Sequence, residues 1–412
     1  MLKSKIASVV ATGALLLSAA SPAFAADSIE ITGNGATSVN NANVNQTSTT
    51  QVSQSNNAVV TNNVVSNANS GGNSADFNTG GQTTIVAGPA KSATNVVTAV
   101  NGNSADITPC DCANGAGDSV KISGNGATSF NNANLNKVNT AVLGQTNTAA
   151  VTNNVASNSN SGDNDASFNT GGATTIMTGA ALSDTHVTTA ANVNSASMGG
   201  GVGAGAGMGH GASALITGNG AGSLNNINLN LISSVALGQQ NSAAVTNNVA
   251  SNANSGGNSA DFNTGGAVSV VAGPAIASTD VDTLANFNAA DLDCGCLASG
   301  VDAKIGGNGA IGFNTINANL VNALGIGQGN GAAVLNNNAS NADSGANAAG
   351  FNTGTPTSDP SIVTTGSQST TSVTTMANWN GVGAGAQVGL PGGNNVNLLW
   401  DFSALLTWLH MM

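Results

Sequence analysis

Between Gln145 and Val155 the side chains alternate with a period of two. Gln145, Asn147, Ala149, Val151, Asn153 and Val155 fall on one side of an extended chain, and Thr146, Thr148, Ala150, Thr152 and Asn154 on the other. Successive side chains of a β-strand point to opposite faces, so this spacing predicts a strand. A related stretch follows about 90 residues later, with Gln240, Asn241 and Ala243 to Val245 slightly displaced. Helix is disfavoured throughout, because Gly, Asn, Thr and Val rank low in helix propensity and suit turns or strands.

The strand pattern belongs to a block written four times. Its opening phrase reads ITGNGATSVNNANVN from Ile31, ISGNGATSFNNANLN from Ile122, ITGNGAGSLNNINLN from Ile216 and IGGNGAIGFNTINAN from Ile305. A second phrase follows, TNNVVSNANSGGNSADFNTGG from Thr61, TNNVASNSNSGDNDASFNTGG from Thr152, TNNVASNANSGGNSADFNTGG from Thr246 and NNASNADSGANAAGFNTG from Asn337. Repetition on this scale marks a solenoid or array, in which each unit buries its apolar face by stacking on its neighbour. The expected fold is an all-β solenoid (β-helix), and an array of β-sandwich domains is the alternative. The boundaries are a leader at 1–25, repeats at 26–121, 122–215, 216–304 and 305–380 (the last divergent), and a Gly-rich linker with an apolar terminal segment at 381–412.

Within each copy, Gly33 to Gly35, Gly71-Gly72, Gly80-Gly81, Gly88-Pro89 and Gly102 break the chain at shorter intervals. These corners suggest coils of roughly 15 to 20 residues, with Gly and Asn supplying left-handed turn conformations and four or five coils making one copy. In-register stacking would build Asn amide ladders along the axis. Phe77, Phe168, Phe262 and Phe351 hold the same place in every copy and are expected as stacked core residues.

Composition supports a narrow core of small side chains: 55 glycines, 3% aromatic residues and no Tyr. Such polar, Gly-rich tracts often stay disordered, but 40% hydrophobic content and the long alternating pattern argue for folding. Conventional sandwich domains would need bulkier cores in every copy.

The first residues set the compartment. Lys3 and Lys5, the mostly apolar run from Ile6 to Ala20, and Ala23-Phe24-Ala25 form a secretory signal peptide, with cleavage expected after Ala25. The mature chain would keep four lysines, no Arg and all 18 acidic residues, a net charge of −14. Nucleic-acid binding needs clustered Lys or Arg, so it is excluded as a function class. The surface should instead attract cations.

The phrases GQTNTAAVTNN from Gly144, GQQNSAAVTNN from Gly238 and GQGNGAAVLNN from Gly327 resemble the Gln/Asn/Ala/Gly-rich strand repeats of curlin-type fibre subunits. More broadly the four copies resemble bacterial surface β-solenoid proteins of the adhesin kind. The likeness lies in composition and alternation, since the curlin pattern spaces its Gln and Asn further apart and repeats every twenty-odd residues. It implies a stacked β architecture outside the cell, with structural or adhesive duty and no active site.

Candidate chemistry is sparse. Cys110/Cys112 and Cys294/Cys296 form two Cys-x-Cys pairs in the connectors after the first and third copies. With ten short coils between them they would sit about 48 Å apart, so a local bridge within each pair is expected in an oxidising compartment, with bridging between molecules second. A thiolate metal site comes third, because two Cys with neighbouring Asp residues fall short of four ligands. GGNSADF from Gly71 and from Gly256 is similar to the Ca²⁺-binding nonapeptide of parallel β-rolls, but Ser74 and Ser259 replace its turn Gly, while Ser167 and Gly350 replace its Asp in the second and fourth copies. No cofactor is expected, and the Ca²⁺ candidates Asp76, Asp163, Asp165 and Asp261 read first as solvated turn residues, as do Asp280, Asp282, Asp291 and Asp293. His186, His210 and His410 are scattered and recur in no copy, so no catalytic site is expected. Thr83-Thr84, Thr174-Thr175 and Thr364-Thr365 form an incomplete Thr pattern for an ice or glycan lattice, because the third copy has Val268-Ser269. The terminal VNLLWDFSALLTWLHMM, with Trp400, Phe402, Leu405, Trp408 and Leu409, is too short for a standard membrane span and reads as a cap on the last coil or a docking segment.

Together these features predict a secreted, non-enzymatic structural or adhesive repeat protein at the cell surface. Its partners would be the cell envelope, like subunits or surface glycans. The alternatives are a self-assembling extracellular fibre subunit and an ice- or glycan-lattice-binding protein.

Overall fold

The computed structural model describes residues 15–19, 28–107, 118–198, 212–292, 301–354, 359–382, 387–389 and 395–397. The chain is an all-β solenoid of very wide coils. Each copy forms one complete coil, not four or five. The first coil runs through β2 (Ser28–Thr32), β3 (Val39–Asn69), β4 (Thr83–Ala87) and β5 (Ala90–Ile107). The second repeats this as β6 (Ser119–Ser123), β7 (Phe130–Asn160), β8 (Thr174–Thr178) and β9 (Ala181–Met198). The third is β10 (Ala212–Thr217), β11 (Leu224–Asn254), β12 (Val268–Ala272) and β13 (Ala275–Leu292), and the fourth is β14 (Val301–Gly306), β15 (Phe313–Asp343), β16 (Ser361–Thr364) and β17 (Ser367–Val382).

Corresponding strands of successive coils pair in parallel, in the sheet orders β3-β7-β11-β15, β2-β6-β10-β14, β4-β8-β12-β16 and β5-β9-β13-β17. Val39 lies against Phe130, Phe130 against Leu224 and Leu224 against Phe313. The spacing from coil to coil is therefore 91, 94 and 89 residues, as in the column Asn62, Asn153, Asn247, Asn336. Parallel pairing between copies also excludes the sandwich array, whose domains would close their sheets within each copy. β1 (Leu15–Ala19) pairs with the free edge of β5 along Asn103–Ile107, and a short antiparallel pair, β18 (Gln387–Gly389) with β19 (Asn395–Asn397), follows the fourth coil.

The 31-residue strands extend for about 100 Å. Their inner faces pack against the return path, so the core is a thin seam between two walls. Ala42, Val44, Leu135 and Leu229 meet Val120, Ile122 and Ile216 at one end, Leu143 and Leu237 meet Ile107 and Met198 in the middle, and Val155 and Val249 meet Val187 and Val281 beyond. The period-two reading divides the faces correctly: Gln145, Asn147, Ala149, Val151, Asn153 and Val155 are all buried. Gln239, not Gln240, stands over Gln145, so the third copy is in register and the displacement read from the sequence is absent.

Polar residues in this seam are satisfied by like residues in the next coil. Asn62 donates to Asn153, Asn153 to Asn247 and Asn247 to Asn336, each at 2.7 Å. Gln328 donates to Gln239 at 2.7 Å, Gln239 to Gln145 at 2.8 Å and Gln145 to Gln54 at 2.7 Å. Buried amides are costly without partners, so each such column fixes register alongside the apolar contacts. One column was not foreseen. Asn101, Asn192, Asn286 and Asn378 all adopt φ near +60° within the return strand, and each begins an Asn-x-Asn triplet. The left-handed residue interrupts the alternation of faces without changing the register between coils, so Ala191 and Asn194 both point to the seam. The recurring triplet was the available signal.

Candidate functional site

The two ends of the coil stack carry the features that bear on function. They arise because identical residues lie directly above one another, so every ladder must end at the first and fourth coils. Phe77, Phe168, Phe262 and Phe351 form one such ladder, with ring centroids 5.0, 4.9 and 4.9 Å apart and planes within 4°. It stands outside the seam and is not part of the core expected from the sequence. The four residues have φ between +51° and +59°, which turns each ring outward from the Gly-rich corner. The inner pair are 46% and 45% exposed, while Phe77 and Phe351 reach 73% and 80%. The difference is one uncovered ring face at each end.

Several inward-facing apolar residues of the fourth coil are exposed. Ile326 is 41% exposed, whereas its third-coil counterpart Leu237 is 3% exposed. Ile316, Leu320 and Leu324 are likewise exposed above buried or partly buried equivalents. The Asn ladder has a direction. Asn153 uses one N–H for Thr189 and the other for Asn247, while among the described residues Asn336 repeats only the first of these bonds, with Thr375. At the opposite end, the Asn62 side-chain oxygen occupies the position that accepts from a neighbour in every other coil.

Comparison with protein-family models, curated proteins and solved structures found no match.

The acidic residues proposed as Ca²⁺ ligands serve the turns and the coil stacking. Asp76 accepts from the Ser74 hydroxyl and from the Ser167 backbone N–H of the next coil. Asp163 accepts from Asn160 and Asn254, Asp165 from the Ser167 hydroxyl, and Asp261 from the Ser259 hydroxyl and the Gly350 N–H. Each carboxylate is committed to a neighbour in its own turn column. Cys110, Cys112, Cys294 and Cys296 lie outside the described residues, as do Trp400, Phe402, Leu405, Trp408, Leu409, His210, His410 and Asp293. The ten coils expected between the first and third copies are in fact two intervals, about 10 Å at the Phe ladder, so the 48 Å separation argued for the cysteine pairs does not stand.

One acidic group is brought to a histidine that the sequence left isolated. Asp280 pairs with His186 across β9 and β13, and Asp282 lies two residues on. Burial pushes the Asp282 carboxyl above its ordinary range and the nearby Asp280 charge adds to this, while a hydrogen bond with Thr374 and His186 oppose the shift. The folded chain thus binds this proton more tightly than the unfolded one. The stability this gives is full below the ordinary value of 3.8 and is lost as pH rises through the folded value. In chelator-treated buffer at pH 7, Asp282→Asn is expected to raise the melting temperature, with the margin closing as pH falls through the folded value towards 3.8. Parallel melting curves for the two chains from pH 7 to 3 would contradict that account.

Proposed function

We propose that the chain is the subunit of an extracellular fibre, exported by its leader and joined head to tail through its fourth and first coils. The observation that carries this reading is the Phe ladder, whose terminal rings leave room for the next ring of another copy at the same spacing. Four coils climb only three intervals, about 15 Å from Phe77 to Phe351. A single chain therefore makes a poor stalk, and length along the solenoid axis comes only from further chains.

Three other features support assembly. Long, flat strand edges with unpaired backbone groups are templates for further strands. The Asn column offers a donor at one end and an acceptor at the other, so identical copies meet head to tail. Contacts of that kind join unlike surfaces, and they extend into a filament when the rotation does not close a ring. A glycan-binding role is served less well, because the faces of Phe168 and Phe262 are covered by their own neighbours and sugars stack on ring faces. β1 pairs along one stretch of the first coil's edge. Cleavage of the leader after Ala25 removes β1 and opens that edge for assembly.

The test is negative-stain microscopy, light scattering and fibre diffraction of residues 26–412 beside a chain ending at Gly393. Filaments with a meridional spacing of about 4.8 Å are expected, since the coil rise is the interstrand distance. Faster assembly of the shorter chain would make the apolar tail a cap on the fourth coil. Single-chain particles at every concentration in both preparations would overturn the proposal.

A further inference from the structure

We propose that His186, Asp280 and Asp282 form a binding site for a divalent transition metal of the Zn²⁺ type, which clips the second coil to the third. One ligand atom from each of the three lies within 4.8 Å of the others. The parallel register produces this arrangement, because His186 of β9 faces Asp280 of β13 and Thr188 faces Asp282. Both carboxylates and the imidazole point to the outer side of the return wall, opposite the seam-facing Val187 and Val281.

The details suit a metal better than a simple ion pair. His186 Nδ1 is 3.3 Å from Asp280 Oδ2, and His186 Nε2 is 2.9 Å from the Thr188 hydroxyl. In the tautomer that donates Nε2–H to Thr188, the Nδ1 lone pair is directed at the carboxylates. A hydrogen bond on the far ring nitrogen is the usual way a metal-binding histidine is held in one tautomer. Asp282 is only 6% exposed, and its carboxyl has another carboxylate beside it. A divalent ion placed among the three would remove that repulsion and compensate the desolvation. The chain's shortage of cationic side chains leaves such a charge to come from solution.

The donor set also selects the kind of ion. One imidazole and two carboxylates form a three-ligand set with room for water, which suits Zn²⁺ and its first-row neighbours. Ca²⁺ takes six to eight oxygens, more than this cluster offers. Among the described residues the site occurs once. The same two positions are Asn95 and Val97 in the first coil and Ser372 and Thr374 in the fourth, so only the pair of middle coils has the ligands. It does not depend on fibre assembly, because all three ligands belong to one chain.

The test uses the mature chain with Cys110, Cys112, Cys294 and Cys296 changed to Ser, so that thiolates cannot account for binding. Equilibrium dialysis with Zn²⁺ should give one ion per chain, and Zn²⁺ should raise the melting temperature. His186→Gln and Asp280→Asn should each weaken binding by at least ~10-fold and abolish the thermal shift. Neither side chain is fully buried, so both variants should keep the parental circular dichroism spectrum. Asp163→Asn should bind as the parent does, and Ca²⁺ should compete poorly. Zn²⁺ binding that is absent, or that persists unchanged in His186→Gln and Asp280→Asn, would overturn the assignment.

Discussion

Ile326→Asp is expected to abolish end-to-end assembly while leaving a folded monomer. Ile326 faces the seam in the last coil and remains 41% exposed because the described residues place no coil above it. In a filament it would be covered as Leu237 is in the third coil. A carboxylate there costs little in the monomer, where water reaches it. In the joint it would be buried without a partner, a penalty of several kcal/mol, so the critical concentration should rise at least ~100-fold. Thr148→Asp, on the outward face of the second coil, provides the control because the added charge stays in solvent on a side wall. Sedimentation of both variants across a concentration series checks the prediction. Assembly of Ile326→Asp at parental concentrations would show that growth does not use the fourth coil.

A comparably large effect is expected at a corner. Gly162 sits in the column Gly71, Gly162, Gly256, where successive coils approach closely, and an added Cβ would overlap the backbone carbonyl of Gly256. Rigid backbone cannot yield as a flexible side chain does. Gly162→Ala should therefore lower stability by roughly 3 kcal/mol, the upper part of the usual range for overpacking. Gly144→Ala tests whether this is close approach and not the loss of a glycine as such. Gly144 lies on the outer face of β7 with nothing near its missing Cβ, and the substitution should be neutral or slightly stabilising. Urea unfolding of the two variants gives the comparison. Equal losses would exclude coil contact at Gly162 as the cause.

The size of the coil was misread from local cues. Gly-rich corners at Gly71-Gly72, Gly80-Gly81 and Gly88-Pro89 do bend the chain, but they surround the small lobe formed by β4 and its stacked equivalents, where Ile85 packs against Ala166 and Ile176. They do not each end a coil. The repeats themselves carry the coil size. Amide and aromatic ladders require like residues on like residues, and the chain repeats itself only at intervals near 90. The period of identity is therefore the period of the coil. The Phe positions were found by the same identity, yet their side of the wall was not legible, because it depends on a left-handed backbone at Phe77, Phe168, Phe262 and Phe351. The left-handed Asn column was legible as a recurring Asn-x-Asn triplet but carried no mark of its conformation.

The metal-binding cluster shows the other limit of reading along the chain. His186 and Asp280 are 94 positions apart and belong to different copies, and neither recurs elsewhere in its column. Repetition brings out what is shared between copies and hides what is unique to one. The sequence alone determined the strand faces, the fourfold repeat, the small-residue core and the acidic balance, because these follow from local alternation and composition. The tertiary structure decided the coil circumference, the outward Phe ladder, the exposed fourth coil and the meeting of His186 with Asp280 and Asp282. Those features depend on which distant strands pair and in which register, and that is set by the summed burial of apolar groups and the closure of amide ladders across whole coils.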